Sequence, residues 1–189
     1  MLGKTSILEY TKKKLENKGF NVFTINEVPT MLLNNGFNSK KCGRIEFLKL
    51  IANIEIFLSR VLENSIIDTS NKTIILYDKS PIDNLAFISK DLLDKMLFEL
   101  DTSYEKIINS FDLIIHLETV AKKYPELYSN DNNINRTLDI KLAIERNDKL
   151  LEAYNKCNNR IIIDAYKDIN EKKERVIEEI EKYLNKVVE

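Results

Sequence analysis

Residues 73–78 read TIILYD, five residues of strand character closed by one carboxylate, and Lys79, Ser80 and Pro81 follow. β-Branched and aromatic side chains fit a pleated surface. Their continuous apolarity predicts a strand buried on both faces, as in a parallel sheet covered by helices. Pro81 is suited to the first position of the next helix, where a missing N–H costs no helical hydrogen bond. Asp78 therefore stands at the carboxyl edge of a strand, the edge at which open α/β sheets bind ligands.

Outward from this strand, helices and strands alternate. Towards the N-terminus, residues 44–63 carry Phe47, Leu50, Ile51, Ile54, Phe57, Leu58, Val61 and Leu62, an apolar face wide enough for a packed helix. Residues 20–25 (FNVFTI) form a short strand and residues 27–35 a short helix that stops before Gly36. Between Gly3 and about Lys18, Ile7, Leu8 and Leu15 recur near helical spacing, with Gly19 as the stop. Towards the C-terminus, residues 82–110 hold two short helices and residues 112–117 (DLIIHL) a third strand. Residues 119–135 are polar and Asn-rich, with Pro125 and no periodicity, and read as a mobile lid extending to Arg136. Residues 138–157 return to helix, residues 160–163 form a fourth strand ending at Asp164, and residues 169–188 form an amphipathic closing helix. Its buried stripe is Ile169, Val176, Ile177, Ile180, Leu184 and Val187, with Glu171–Arg175 and Glu178–Lys182 as i,i+4 pairs on the wet face. This alternation predicts an α/β fold, a parallel sheet with helices on both faces, in one domain spanning residues 1–189.

Composition narrows the function classes. The 189 residues are 43% hydrophobic and 31% charged, values of a globular chain rather than a disordered one. A domain of this size buries roughly 70% of the surface its unfolded form exposes. Lys and Arg total 29 against 30 Asp and Glu, and no long basic run exists, which argues against nucleic acid as a main partner. Cys42 and Cys157 make no disulfide framework, and no pattern of Cys and His supplies four metal ligands. The start of the chain lacks a signal peptide's apolar run, and no stretch approaches the length of a membrane span. A soluble, cytoplasmic protein is the expectation.

The chemistry concentrates in a few places. Gly3, Lys4, Thr5 and Ser6 open the first helix. A phosphate site needs backbone N–H groups at a helix start, a Lys that reaches the outer phosphates and a hydroxyl for Mg2+, and these four residues supply them. The alternative is an ordinary helix start capped by Thr5 or Ser6. Asp78 can hold Mg2+ through water or accept a proton from an acceptor hydroxyl, or else cap the helix before Pro81. Asp83 is either a second acid in the same cleft or a first-turn charge favoured by the helix dipole. Arg136 and Arg146 can converge on a transferring phosphate as a lid folds, or lie on a solvated face. His116, inside an apolar strand, reads as a core histidine. Tyr124 and Tyr128 either stack on a base or pack on the surface, and neither cysteine has the charged surroundings of an activated thiol.

Taken in order, GKTSILEYTKKKLENKGFNVFTINEVPTMLLNNGF, IILYDKSPIDNLAFI, DLIIHLETV, the NNINRT segment with its helix, and RIIIDAYKDINEKKERVI resemble a P-loop domain of the AAA and kinase-like families. The resemblance is to the ATPase domain related to the ribosylnicotinamide kinase domain of the bifunctional NAD-biosynthesis regulator. The same relatives include the nucleotide-binding part of translocation-defect proteins that act on photoreceptor channels. It implies a five-stranded parallel sheet in order 2-3-1-4-5, binding of ATP or GTP with Mg2+, and a small-molecule acceptor or a protein partner. By resemblance, Lys4 is the phosphate-binding lysine, Thr5 the Mg2+ hydroxyl, Asp78 the acid after the third strand, Glu27 the acid after the second, and Arg136 a lid arginine. Where those relatives commonly have Asp-Arg-Gly this chain has Asp78, Lys79 and Ser80, and Leu48 follows Phe47 where Gln is common. Both departures fall on the acceptor side, so nucleotide binding is better supported than catalysis.

A full phosphate motif places another Gly five positions before Gly3, after a short strand. These residues begin too late to include either, so the first and central strand of the implied sheet is expected to be missing. The corresponding expectation is weak or no ATP binding by the 189 residues alone, restored by an upstream Gly-containing strand.

Overall fold

A computed structural model describes residues 4–65, 72–128 and 140–188. In chain order the elements are α1 (Lys4–Glu16), β1 (Asn21–Ile25), α2 (Val28–Asn34), α3 (Ser39–Cys42), α4 (Arg44–Ser65), β2 (Thr73–Tyr77), α5 (Pro81–Leu85), α6 (Lys90–Glu99) and α7 (Tyr104–Asn109). They continue with β3 (Ile114–Leu117), α8 (Val120–Lys123), a 3-10 turn (Pro125–Leu127), α9 (Ile140–Ala153), β4 (Arg160–Ile163) and α10 (Ile169–Val188). The fold is α/β with parallel strand pairing. The chain divides into two compact units, one of residues 15–110 and one of the remainder.

In the unit of residues 15–110, β1 and β2 pair in parallel from Asn21 opposite Thr73 to Ile25 opposite Tyr77. The Asn21 N–H donates to the Lys72 carbonyl at 3.0 Å and the Asp78 N–H to the Ile25 carbonyl at 3.0 Å, extending the ladder at both ends. The apolar face of α4 packs on α2: Val28, Leu32 and Ile51 are buried, with Phe47, Leu50, Ile54 and Leu58 against them. α5 starts at Pro81 as expected, and Ser80 and Asp83 form a reciprocal capping box there.

Several expectations change in this unit. All five residues of β2 are half-buried rather than buried on both faces; among the described residues β2 pairs with β1 alone, so its second edge and the flanks beside it are less covered than in a central strand. Residues 81–109 fold into three helices, not two, since Ser89 and Ser103 each open a new one. The turn α3 has no apolar periodicity to announce it. Asn38 caps it by accepting the Lys40 and Lys41 N–H groups at 3.1 and 3.2 Å, and Gly43, with φ 85°, closes it.

In the other unit, β3 and β4 pair in parallel from Ile114 opposite Arg160 to Leu117 opposite Ile163. Ile7, Tyr154, Ile163, Val176, Ile177 and Ile180 are among its buried residues. The closing helix keeps the predicted bounds but not the whole predicted stripe. Val187 is exposed in the last turn, where helix ends fray from their packing. Its ion pairs also shift register: Arg175 reaches Glu178 at 2.9 Å and Glu179 at 2.5 Å, and Lys182 reaches Glu179 at 2.8 Å. Glu179 is the less exposed acceptor, and both cations converge on it. The start of the expected loop is ordered as α8, which Thr119 caps by accepting the Ala121 N–H at 3.3 Å, and as the 3-10 turn after it. Its continuation at residues 129–135 lies outside the described residues. The pairs β1–β2 and β3–β4 are neighbours in the implied 2-3-1-4-5 order if they are its strands 2, 3, 4 and 5.

Candidate functional site

Candidate residues occur in each unit. Lys4 is the first residue of α1, a 13-residue helix, and is half-buried, while the Thr5 and Ser6 side chains beside it are exposed. A helix start leaves its first N–H groups without intrahelical acceptors, and its dipole favours an anion there. The carboxyl ends of the paired strands supply the neighbouring polar groups. The Glu118 N–H, just past β3, donates to the Ile163 carbonyl at 2.9 Å, and Asp164 follows β4 directly. Asp164 accepts an ion pair from Lys123 at 3.4 Å.

Lys172 on α10 adds a cation that sequence reasoning passed over. Its side chain donates to the Glu118 carbonyl at 2.8 Å, and the residue is only 7% exposed. Burial pushes its ammonium down to about 8; the positive charge of Lys4 acts the same way, against Glu118 and Asp164. The signal was present in the spacing, because Lys172 lies three residues after Ile169 and four before Val176 on the buried stripe.

His116 is a core residue as read: its Nε2 lies 3.1 Å from the Asn147 Oδ1, which also accepts the Thr119 N–H at 3.2 Å. That bond fixes the start of α8 against α9 rather than serving chemistry. Tyr124 lies between two ammonium groups, Lys123 at 5.7 Å and Lys167 at 5.2 Å from the ring centroid. Arg146 is on α9 and exposed. Gly3 and Arg136 lie outside the described residues.

In the unit of residues 15–110, acids gather at the carboxyl ends of β1 and β2. Asp78 is half-buried immediately after β2, and because Ser80 caps α5, Asp78 is not the cap. Asp83 takes the first-turn role: its Oδ2 accepts the Ser80 N–H at 3.1 Å. Glu27, just past β1, forms an ion pair with Lys79 and accepts the Thr30 hydroxyl at 2.8 Å. Both residues of the departure from Asp-Arg-Gly are thus engaged, Lys79 with Glu27 and Ser80 with α5.

Glu55 was not anticipated. It occupies the apolar face of α4, four residues after Ile51 and three before Leu58, and is 4% exposed. Its Oε1 accepts the Asn84 Nδ2 at 3.4 Å, and its Oε2 is buried with no hydrogen-bond partner among the described residues. Burial, first, and the neighbouring Asp83 carboxylate raise its carboxyl to about 8, against an opposing pull from Lys79. Among the described residues no group of three His, Cys, Asp or Glu could hold a metal ion, and no helix is long and apolar enough to cross a membrane.

Parallel strand pairs with acids past their carboxyl ends, and in the other unit a lysine and two hydroxyls opening a helix, are features shared with α/β domains of the P-loop class. The chain belongs to the AAA domain family, whose model matches residues 2–172. No curated protein matches it.

Proposed function

We propose that the protein is an ATP-binding P-loop domain, a Mg2+-dependent small-molecule kinase or ATPase, with its phosphate seat at the start of α1. The observation that carries this reading is the position of Lys4, Thr5 and Ser6 at the start of a 13-residue helix, in a chain of the AAA domain family. Lys4 binds the outer phosphates of ATP or GTP, and Gly3 lets the backbone approach them. The exposed hydroxyls of Thr5 and Ser6 fit a hydrated cation and a phosphate, and Thr5 would hold Mg2+. Bound Mg2+ neutralises phosphate charge. Asp78 serves as the reacting carboxylate, holding the cation through water or, as a base, taking a proton from the acceptor hydroxyl. Arg136 and Arg146 are assigned to the transferring phosphate.

One observation favours a second reading, a nucleotide-dependent binding module that a protein partner reads without useful turnover. Lys79 is ion-paired with Glu27 instead of being free to orient an acceptor, and Ser80 is committed to capping α5.

Calorimetric titration of ATP with Mg2+, carried to millimolar nucleotide, tests the binding claim. Saturable binding that Lys4→Ala weakens at least tenfold supports it, since an ammonium contact to phosphate is worth more than 1.4 kcal/mol. Equal affinity in the variant, or no binding at millimolar ATP even when an upstream Gly-containing strand is supplied, contradicts it. Phosphate transfer to any of a panel of nucleosides, or release of inorganic phosphate, then separates the enzyme from the binding module.

A further inference from the structure

Glu55 sits between α4 and α5 with no role in the phosphate seat. A carboxyl on an apolar helix face, 4% exposed and with one oxygen unpartnered, is costly to keep ionised. Among the described residues its carboxylate accepts a hydrogen bond from Asn84, on α5, at 3.4 Å. The neighbouring residue Asp83 belongs to the same short helix and holds its first turn through the Ser80 N–H. Charged groups act on Glu55 from each side: Asp83 on α5, Lys79 in the turn after β2, and Glu27 ahead of α2. α3 lies at the other end of α4, about 16 Å along the helix axis from Glu55.

We propose that Glu55 is a proton-operated latch: protonated, it lets α5 stay seated on α4, and ionised, it repels Asp83 and loosens α5. When the proton leaves for water, the carboxylate gains a full charge beside Asp83 in a site with no second donor for Oε2. Lys79 is held by Glu27 and offsets only part of that charge. The free energy is relieved by α5 moving off and water reaching Glu55. Because α5 begins three residues after Asp78, its release frees the backbone that positions Asp78 at the end of β2. The latch is a property of this unit, independent of whether the protein binds nucleotide.

The direction follows from the carboxyl's two environments. Its ordinary value is 4.5, and in the closed protein it stands near 8. Below 4.5 it is protonated whether α5 is closed or open. Between the two values closing takes up a proton, so each pH unit favours opening tenfold. Above 8 the effect levels off.

Native-state hydrogen exchange reads this opening at the Ala86 and Ile88 amides, which donate to the Ile82 and Leu85 carbonyls. After correction for intrinsic exchange, their protection should fall up to tenfold per pH unit between pH 5 and 8. In Glu55→Gln, which keeps an acceptor for Asn84 but cannot ionise, protection should stay level over that range. A flat wild-type profile, or an equal slope in Glu55→Gln, overturns the latch. If the variant does not fold, carbon-13 NMR of the wild-type Glu55 carboxyl decides: a midpoint near 8 supports the proposal, and one near 4.5 overturns it.

Discussion

Replacing Lys172 with Met should change how stability depends on pH, whatever it does at a single pH. The side chain is almost wholly buried, and its ammonium is pushed from 10.5 down to about 8. At pH 7 the fold carries a buried charge whose burial costs free energy, while its bond to the Glu118 carbonyl at 2.8 Å offsets part of that cost. Met fills similar space without the charge but leaves the carbonyl without this donor, so the two effects oppose one another at neutral pH. The slope does not suffer that cancellation. Between pH 8 and 10.5 the unfolded chain keeps the proton and the folded chain has lost it, so wild-type stability gains about 1.4 kcal/mol per pH unit from this group. The gain totals about 3 kcal/mol and is absent below pH 8. Other lysines and tyrosines titrate in this window in both proteins, so the quantity to follow is the difference between wild type and Lys172→Met. Urea unfolding at pH 7, 8, 9 and 10, with equal m values, measures it. The wild type should gain on the variant by about 2.5 kcal/mol between pH 7 and pH 10. Parallel stability curves from pH 7 to 10 would refute the reasoning.

Three further outcomes follow from the packing. Ile51→Ala removes a core side chain packed with Val28 and Leu32 and should cost about 3 kcal/mol in denaturant unfolding. Ser80→Ala loses the acceptor of the Ile82 N–H at 3.1 Å, with an expected cost of about 1 kcal/mol and faster exchange at the Ala86 amide. Asn147→Ala strands the His116 Nε2 and the Thr119 N–H, so it should lower stability by about 2 kcal/mol and increase exchange at the start of α8. A change of less than half these amounts would show that water or a shifted side chain replaces the lost partner.

Most of the fold was legible because strand and helix periods differ. β2 and β4 have the predicted bounds, since each is a continuous run of β-branched and apolar residues between polar ends. α10 was legible from its recurring apolar stripe, and α5 from Pro81. What escaped was short or depended on tertiary context. α3 is four residues long and is held by the Asn38 cap rather than by periodicity. The half-exposure of β2 depends on what packs around it, and a strand's own sequence cannot report that. Lys4, Thr5, Ser6 and Asp78 could be singled out because their chemistry lies at element ends. Glu55 and Lys172 could not be read as polar residues of consequence until burial was known, although each interrupts an apolar stripe at helical spacing.

The central claim is that nucleotide phosphates sit at the start of α1, and amide chemical shifts test it most directly. Titration of ATP with Mg2+ into the nitrogen-15-labelled protein should move the Lys4, Thr5 and Ser6 amides first and furthest, with adenosine alone leaving them in place. Shifts confined to other residues, or identical shifts with adenosine, would contradict it.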